Sequence, residues 1–225
     1  MENGILYGVG VGPGGKELLT LKAVEVIKSV DVIIAPSAKE NGESIAYDTA
    51  KSFINDNQEV IIKHFPMAKE KEKKVYDAFK TIENYLKNGK NVAFLTVGDI
   101  FIYSTYIYLL KYIKKKNYEV YNVPGITSFC ASASIANRLL VINDEPLLIV
   151  PGTKINSIKH EKYVVVMKFF NREEEVLNFL DKNNFNYVCI QRAYRKGEKV
   201  LTSREEILNQ KDYMSIIIAH RNVNQ

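Results

Sequence analysis

Hydrophobic positions along the chain switch between two periods, and the switching outlines its elements. Residues 5–10 (ILYGVG) form a short apolar run that closes on glycine, the mark of a buried strand. Over residues 17–30 the side chains of Leu18, Leu21, Val24 and Ile27 recur at helical spacing. A second strand is expected over 31–35 (DVIIA), stopped by Pro36, then a short helix over 44–52 and a third strand over 59–65. The charged, amphipathic stretch 69–87 predicts a long helix, with Gly89 just past its end as a stop signal. A fourth strand over 91–97, a helix over 105–115 and a fifth strand over 118–123 come next, the last ended by Pro124-Gly125.

Strict alternation of strand and helix argues for a mainly parallel sheet with helices on both faces. After Thr127 the rhythm loosens. A helix of small residues over 128–138 precedes strands over 147–150, 163–170, 187–193 and 214–219, with helices only near 172–182 and 204–210. This sparser pattern predicts a second domain with antiparallel pairing. The expected fold class is therefore α/β, with an N-terminal α/β domain over 1–124 and a C-terminal α/β domain over 125–225.

Composition narrows the picture. The chain has 225 residues, 46% of them hydrophobic and 25% charged, which is enough to bury a real core and argues against disorder. Its apolar runs fall far short of the roughly 20 residues a membrane helix needs. The first residues, Met1-Glu2-Asn3-Gly4, show neither a basic start nor a cleavage site, so a cytoplasmic protein without a membrane partner is expected. Cys130 and Cys189 lie far apart in apolar runs and read as buried free thiols. His64, His160 and His220 share no ligand spacing with other donors, so no metal site is expected. A net charge of +5 suits an anionic small molecule and lacks the concentrated basic stripe of a nucleic-acid binder.

The run Gly8-Val9-Gly10-Val11-Gly12-Pro13-Gly14-Gly15-Lys16 is the most conspicuous motif. Glycines after a first strand let the backbone turn sharply and approach a ligand. A dinucleotide fingerprint fits Gly10, Gly12 and Gly15, but Ala35-Pro36-Ser37 stands where an acidic residue should grip the ribose. A phosphate-binding P-loop fits Gly10 to Lys16, but Glu17 replaces the hydroxyl that holds magnesium. On its own the loop remains compatible with a purely structural turn.

Together with the residues just beyond it, the loop is more specific. Val9-Gly10-Val11-Gly12-Pro13-Gly14 and then Glu17-Leu18-Leu19-Thr20-Leu21-Lys22-Ala23 resemble the opening signature of the tetrapyrrole methylase family. Phe94-Leu95-Thr96-Val97-Gly98-Asp99 resembles the family's S-adenosylmethionine loop, and Val123-Pro124-Gly125-Ile126-Thr127-Ser128 its later glycine segment. The motifs recur in register along nearly the whole chain. The resemblance implies two α/β domains with the cofactor folded into a cleft between them, S-adenosyl-L-methionine as methyl donor and S-adenosyl-L-homocysteine as product. It also implies a homodimer.

Gly98-Asp99-Ile100-Phe101-Ile102-Tyr103-Ser104-Thr105 and Phe65-Pro66-Met67 further resemble the branch that methylates C20 of precorrin-2, or of its cobalt complex, in cobalamin biosynthesis. Ile100 stands where the family usually has proline, and Gly15-Lys16 where an acidic residue and proline are usual. Other branches modify another ring carbon or ribosomal RNA, and these are the alternatives. The likeness assigns Pro13, Val97, Gly98, Asp99, Ile102, Thr127, Ser128, Met167 and Ala193 to the cofactor, and Tyr103, Ser104 and Thr105 to the substrate. Several of these have ordinary structural readings that the sequence leaves open: a helix cap for Asp99, Thr127 and Ser128, and plain core for Ile102, Met167 and Ala193. A tetrapyrrole carries several carboxylates, for which Lys16, Lys168, Arg192 and Arg195 are candidates by neighbourhood. No catalytic acid or base is assigned, since in-line methyl transfer to an enamine-like carbon needs alignment above all.

Overall fold

The computed structural model describes residues 2–37, 42–65 and 72–221, with the backbone alone over 72–78. The chain divides into two compact units, Met1–Thr127 and Ser128–Gln225. In the first, strands β1 (Leu6–Gly10), β2 (Val32–Ser37), β3 (Glu59–His64), β4 (Val92–Thr96) and β5 (Val120–Val123) form one parallel sheet in the order β3-β2-β4-β1-β5. Side chains of successive strand residues point to opposite faces, and the sequence uses both. Leu6, Val32, Ile34, Val92 and Phe94 enter one core with helices α3 (Glu72–Lys87) and α4 (Tyr106–Lys114). Val9, Ile33, Ala35, Ala93 and Leu95 enter another with α1 (Leu21–Ser29) and α2 (Ile45–Ala50). Burial on both faces explains why the three central strands β1, β2 and β4 read as continuous apolar runs.

Two local expectations are corrected. The helix expected over 17–30 is split into a 3-10 turn at Lys16–Leu18 and α1, because Thr20 stays extended and its hydroxyl caps Ala23 N at 3.1 Å. The buried face is consequently Ala23, Val26, Ile27 and Val30, and Leu21 is 90% exposed. Pro36 does not stop β2 but lies within it. Pairing with β4 ends at Ile34, so beyond that point β2 is an edge on that side and tolerates a residue without an N–H.

The second unit opens with α5 (Ser128–Ile135) and holds a mixed sheet in the order β6-β7-β10-β8-β9. Its strands are β6 (Leu147–Pro151), β7 (Tyr163–Met167), β8 (Asn186–Gln191), β9 (Lys199–Leu201) and β10 (Ser215–His220), antiparallel except for the β6–β7 pair. Strands expected over 163–170 and 187–193 end early, at residues in left-handed conformation: Lys168 (φ 51°) and Arg192 (φ 47°). The short edge strand β9 lies in a charged stretch whose pattern gives no strand signal. Helices α6 (Glu173–Lys182) and α7 (Arg204–Asn209) cover one sheet face, and Ser203 with Glu206 forms a capping box at the start of α7. Cys189 is buried, and burial, then Glu173, pushes its thiol up to about 12. Cys130 is exposed, contrary to expectation, because the short α5 turns that position outward.

His220, 2% exposed at the end of β10, meets the Tyr163 ring edge-on at 5.1 Å. Burial, then the nearby Arg138 charge, holds its imidazole below the ordinary value. Above about pH 6.5 the ring is neutral in both folded and unfolded chains. Below it the unfolded chain takes up the proton first, so stability is lost as pH falls, with a slope of at most about 1.4 kcal/mol per pH unit from this group. Urea denaturation between pH 7.5 and 5.5 is expected to show this loss, and His220→Gln to flatten it.

Candidate active site

All five strands of the first sheet are parallel, so their carboxyl ends share one edge. At that edge the helix after β1 covers one face, with α2 after β2, whereas α3 and α4, after β3 and β4, cover the other. Neighbouring strands β1 and β4, and β4 and β2, therefore send their connections to opposite faces. Such switch points open crevices where ligands bind in parallel α/β sheets.

The turns leaving β1, β4 and β5 meet there backbone to backbone. Gly12 and Gly98 form an isolated bridge: Gly12 N donates to Gly98 O at 3.2 Å and Gly98 N to Gly12 O at 2.6 Å. Both take left-handed φ values, 74° and 73°, which suit glycine. Contact with the third turn is closer still. A Cβ on Gly125 would lie 2.1 Å from Gly98 O, and one on Gly10 2.5 Å from Gly125 N. Asp99 fastens the arrangement. Its Oδ1 accepts from Phe101 N at 2.9 Å and its Oδ2 from Gly125 N at 3.1 Å, tying the β4 turn to itself and to the β5 turn. No helix begins at Asp99, so the cap reading gives way to a clamp between loops.

Pro13 is buried in the β1 turn, and Val97, Gly98 and Asp99 form the β4 turn. Ile102, Tyr103, Ser104 and Thr105 come next, and with Pro36, Ala46, Phe94, Thr96 and Val97 they line a cavity of about 200 Å³. Tyr103 sits in left-handed conformation (φ 51°), an uncommon state for a bulky residue and one that gathers at functional sites. Its phenol is shifted up by burial. The Ser104 hydroxyl donates to Ile100 O and so is held locally. Phe65 is buried against Phe79 and Phe94, whereas Pro66 and Met67 lie outside the described residues.

Thr127 is the last residue of the first unit, and its buried Oγ1 has no hydrogen-bond partner. A buried hydroxyl left unmade costs about 1–3 kcal/mol, so a polar group arriving beside it has something to satisfy. Ser128 starts α5 in the second unit. There Met167 and Ala193 lie at one edge of the mixed sheet, since β7 and β8 both run antiparallel to β10. Each is flanked by non-glycine residues in left-handed conformation: Lys168, Arg192 and Tyr194 (φ 57°). Behind that edge Gln210 Oε1 accepts from Gln191 Nε2 (2.9 Å), Asp212 N (2.8 Å) and Ser215 Oγ (3.2 Å), a buried network that sequence reasoning missed.

The four basic candidates are divided between the units, with Lys168, Arg192 and Arg195 following the carboxyl ends of β7 and β8 in the second. Lys16 is exposed in the first. In the second, Lys168 is partly buried, which lowers its ammonium pKa; Arg192 pairs with Asp212, and Arg195 N bonds back to Arg192 O at 2.9 Å. Among the described residues no group of three or more His, Cys, Asp or Glu is placed to hold a metal. Nor, among them, is any helix long and apolar enough to cross a membrane.

This architecture has known counterparts. The family model described as Tetrapyrrole (Corrin/Porphyrin) Methylases matches residues 5–208. The chain belongs to the tetrapyrrole methylase family. Among curated members it is 38% identical, over 96% of both chains, to a probable cobalt-precorrin-2 C(20)-methyltransferase of Methanocaldococcus jannaschii. It is 32% identical to the cobalt-precorrin-2 C(20)-methyltransferase of Salmonella typhimurium, over 76% of this chain and 75% of that one. A solved tetrapyrrole methylase, the uroporphyrin-III C-methyl transferase of Thermus thermophilus complexed with S-adenyl homocysteine, superposes with a TM-score of 0.75 at 18% identity, covering 96% of this chain and 97% of that one. At that identity the likeness concerns the fold, two α/β units as expected.

The clamp in this tetrapyrrole methylase gives two expectations. Gly125→Ala must push Gly98 O away and should lower stability by about 1–3 kcal/mol. Asp99→Ala removes an acceptor from two backbone N–H groups and should cost about 1–2 kcal/mol. Urea denaturation of both variants checks them; unchanged midpoints would show that the three turns are not fastened in this way.

Proposed function

We propose that this chain transfers a methyl group from S-adenosyl-L-methionine to C20 of precorrin-2, in its cobalt complex, in cobalamin biosynthesis. The observation that carries the reading is the similarity, over 96% and 76% of the chain, to two curated relatives named for that C20 reaction. The Gly98–Thr105 segment, which resembles the same branch, forms the turn and cavity wall at the sheet's switch point.

The cofactor supplies an electrophilic methyl on a sulfonium sulfur, and what remains is S-adenosyl-L-homocysteine. The residues present fit it. Gly98 and Gly125 put no side chain at the strand ends, Asp99 fixes both turns, and Thr127 offers an unmet hydroxyl. In this reading Pro13, Val97, Gly98, Asp99 and Ile102 hold the amino-acid end together with Thr127 and Ser128, while Met167 and Ala193 face the adenosine. Asp99 balances the ammonium with lone pairs left over from its two backbone bonds. Tyr103, Ser104 and Thr105 face the tetrapyrrole.

The meso carbon of a reduced tetrapyrrole is nucleophilic, so the protein's task is alignment. Held by the glycine turns, the cofactor would supply its methyl to that carbon and leave as the homocysteine product, and the meso carbon's proton would pass to solvent. A rigid set of turns suits this, because a misplacement of about 1 Å can cost on the order of a hundredfold in rate. The same proposal places the enzyme in the cytoplasm as a homodimer that needs neither membrane nor nucleic acid; the modest +5 charge without a basic stripe supports the last point.

Anaerobic turnover with methyl-labelled S-adenosylmethionine, using metal-free and cobalt precorrin-2 side by side, tests the reading by carbon-13 NMR. One labelled methyl on C20, formed faster on the cobalt complex, is expected. Label on another ring carbon, or transfer only to ribosomal RNA, would place the chain in a different branch of the family.

A further inference from the structure

A residue lining the cavity beside the β4 turn carries a hydroxyl that has no role in the proposed cofactor or substrate contacts. Thr96, the last residue of β4, is 8% exposed, and its Oγ1 is buried with no hydrogen-bond partner. Its position follows from the strand's alternation. Val92, Phe94 and Thr96 share a face; the first two are core, and at Thr96 that face reaches the cavity wall. A valine would fill the same volume and continue the apolar strand without leaving a polar atom unmet. A threonine there keeps a destabilising feature, and retained local costs of this kind are characteristic of binding sites.

What could satisfy it is limited by the lining. Pro36, Ala46, Phe94, Val97 and Ile102 are apolar, and Thr96, Tyr103, Ser104 and Thr105 contribute hydroxyls; among the described residues no charged side chain lines the cavity. An ammonium would find no carboxylate among them. A carboxylate would find the unpartnered Thr96 hydroxyl as a donor, and hydrogen bonds to ionised oxygen are among the strong ones. A space of about 200 Å³ admits one short arm of a ligand and excludes a macrocycle. Resting on the proposed function, we infer that Thr96 is a substrate-binding residue. Its hydroxyl donates to a carboxylate arm of the tetrapyrrole, and the cavity seats that arm while the ring stays outside. Seating one arm fixes the rotation of the ring, so Thr96 contributes to which meso carbon is presented.

The test is Thr96→Val, with Thr96→Ser as the conservative control. Because the hydroxyl is unmet in the free protein, Thr96→Val should be as thermally stable as the wild type or more so. Its KM for the tetrapyrrole should rise about tenfold, the usual effect of one lost hydrogen bond to a charged group. Affinity for S-adenosylhomocysteine, by calorimetry, should stay the same, and Thr96→Ser should restore the KM. A fall in S-adenosylhomocysteine affinity instead would mean that the arm is the cofactor's own carboxylate, and the inference would be wrong. Unchanged KM and affinity would make Thr96 merely structural, and it would be wrong again. If the wild-type protein binds S-adenosylhomocysteine but no tetrapyrrole, the proposed function itself fails, a result separable from the others because it precedes any substitution.

Discussion

Three backbone segments touch where no side chain has room, and the first unit is organised around that contact. Gly10, Gly98 and Gly125 stand at the carboxyl ends of β1, β4 and β5, close enough that a single methyl on Gly125 would overlap Gly98 O. The steric condition has chemical consequences. It brings three turns together at the sheet edge where the helices diverge to opposite faces, with no side chain between them. Asp99 converts proximity into rigidity by accepting from one N–H in its own turn and one in the next. A methyl transferase without an assigned acid or base depends on such rigidity, because alignment is its main means of lowering the barrier.

The second unit reaches a similar end by different means. Its candidate residues Met167 and Ala193 lie where strands are cut short by left-handed Lys168 and Arg192. Non-glycine residues in that conformation cost energy and persist where surrounding structure fixes them. At Arg192 the neighbouring Gln191–Gln210–Ser215 network and the Arg192–Asp212 pair do the fixing. One unit therefore uses glycines to bring backbones together; the other uses buried hydrogen bonds to hold strained turns.

Most of the fold is legible in the sequence because periodicity and burial agree. Strands buried on both faces, such as 92–96, leave uninterrupted apolar runs, and capped helices such as α7 announce their starts. The pattern misleads where a local interaction overrides the period. Thr20 splits a helix that spacing alone predicts as continuous, and Pro36 sits in a strand because its neighbour has already departed. The site is legible as motifs and not as geometry. Gly98-Asp99 and Pro124-Gly125 are conspicuous in sequence, but nothing in their spacing shows that Asp99 bonds to Gly125 N. Thr96 is invisible for a different reason: a hydroxyl at the end of an apolar strand becomes informative only when its lack of a partner and the adjoining cavity are seen.

Every proposed role of the glycine turns depends on where the cofactor sits. A crystal structure of the chain with S-adenosylhomocysteine is the direct measurement. The amino-acid end of the ligand is predicted to lie against the Gly98-Asp99 turn, with the Thr127 hydroxyl in hydrogen-bond contact and the Gly12–Gly98 bridge intact. Ligand density elsewhere, with Thr127 still unpartnered and the three glycine turns bare, would contradict it.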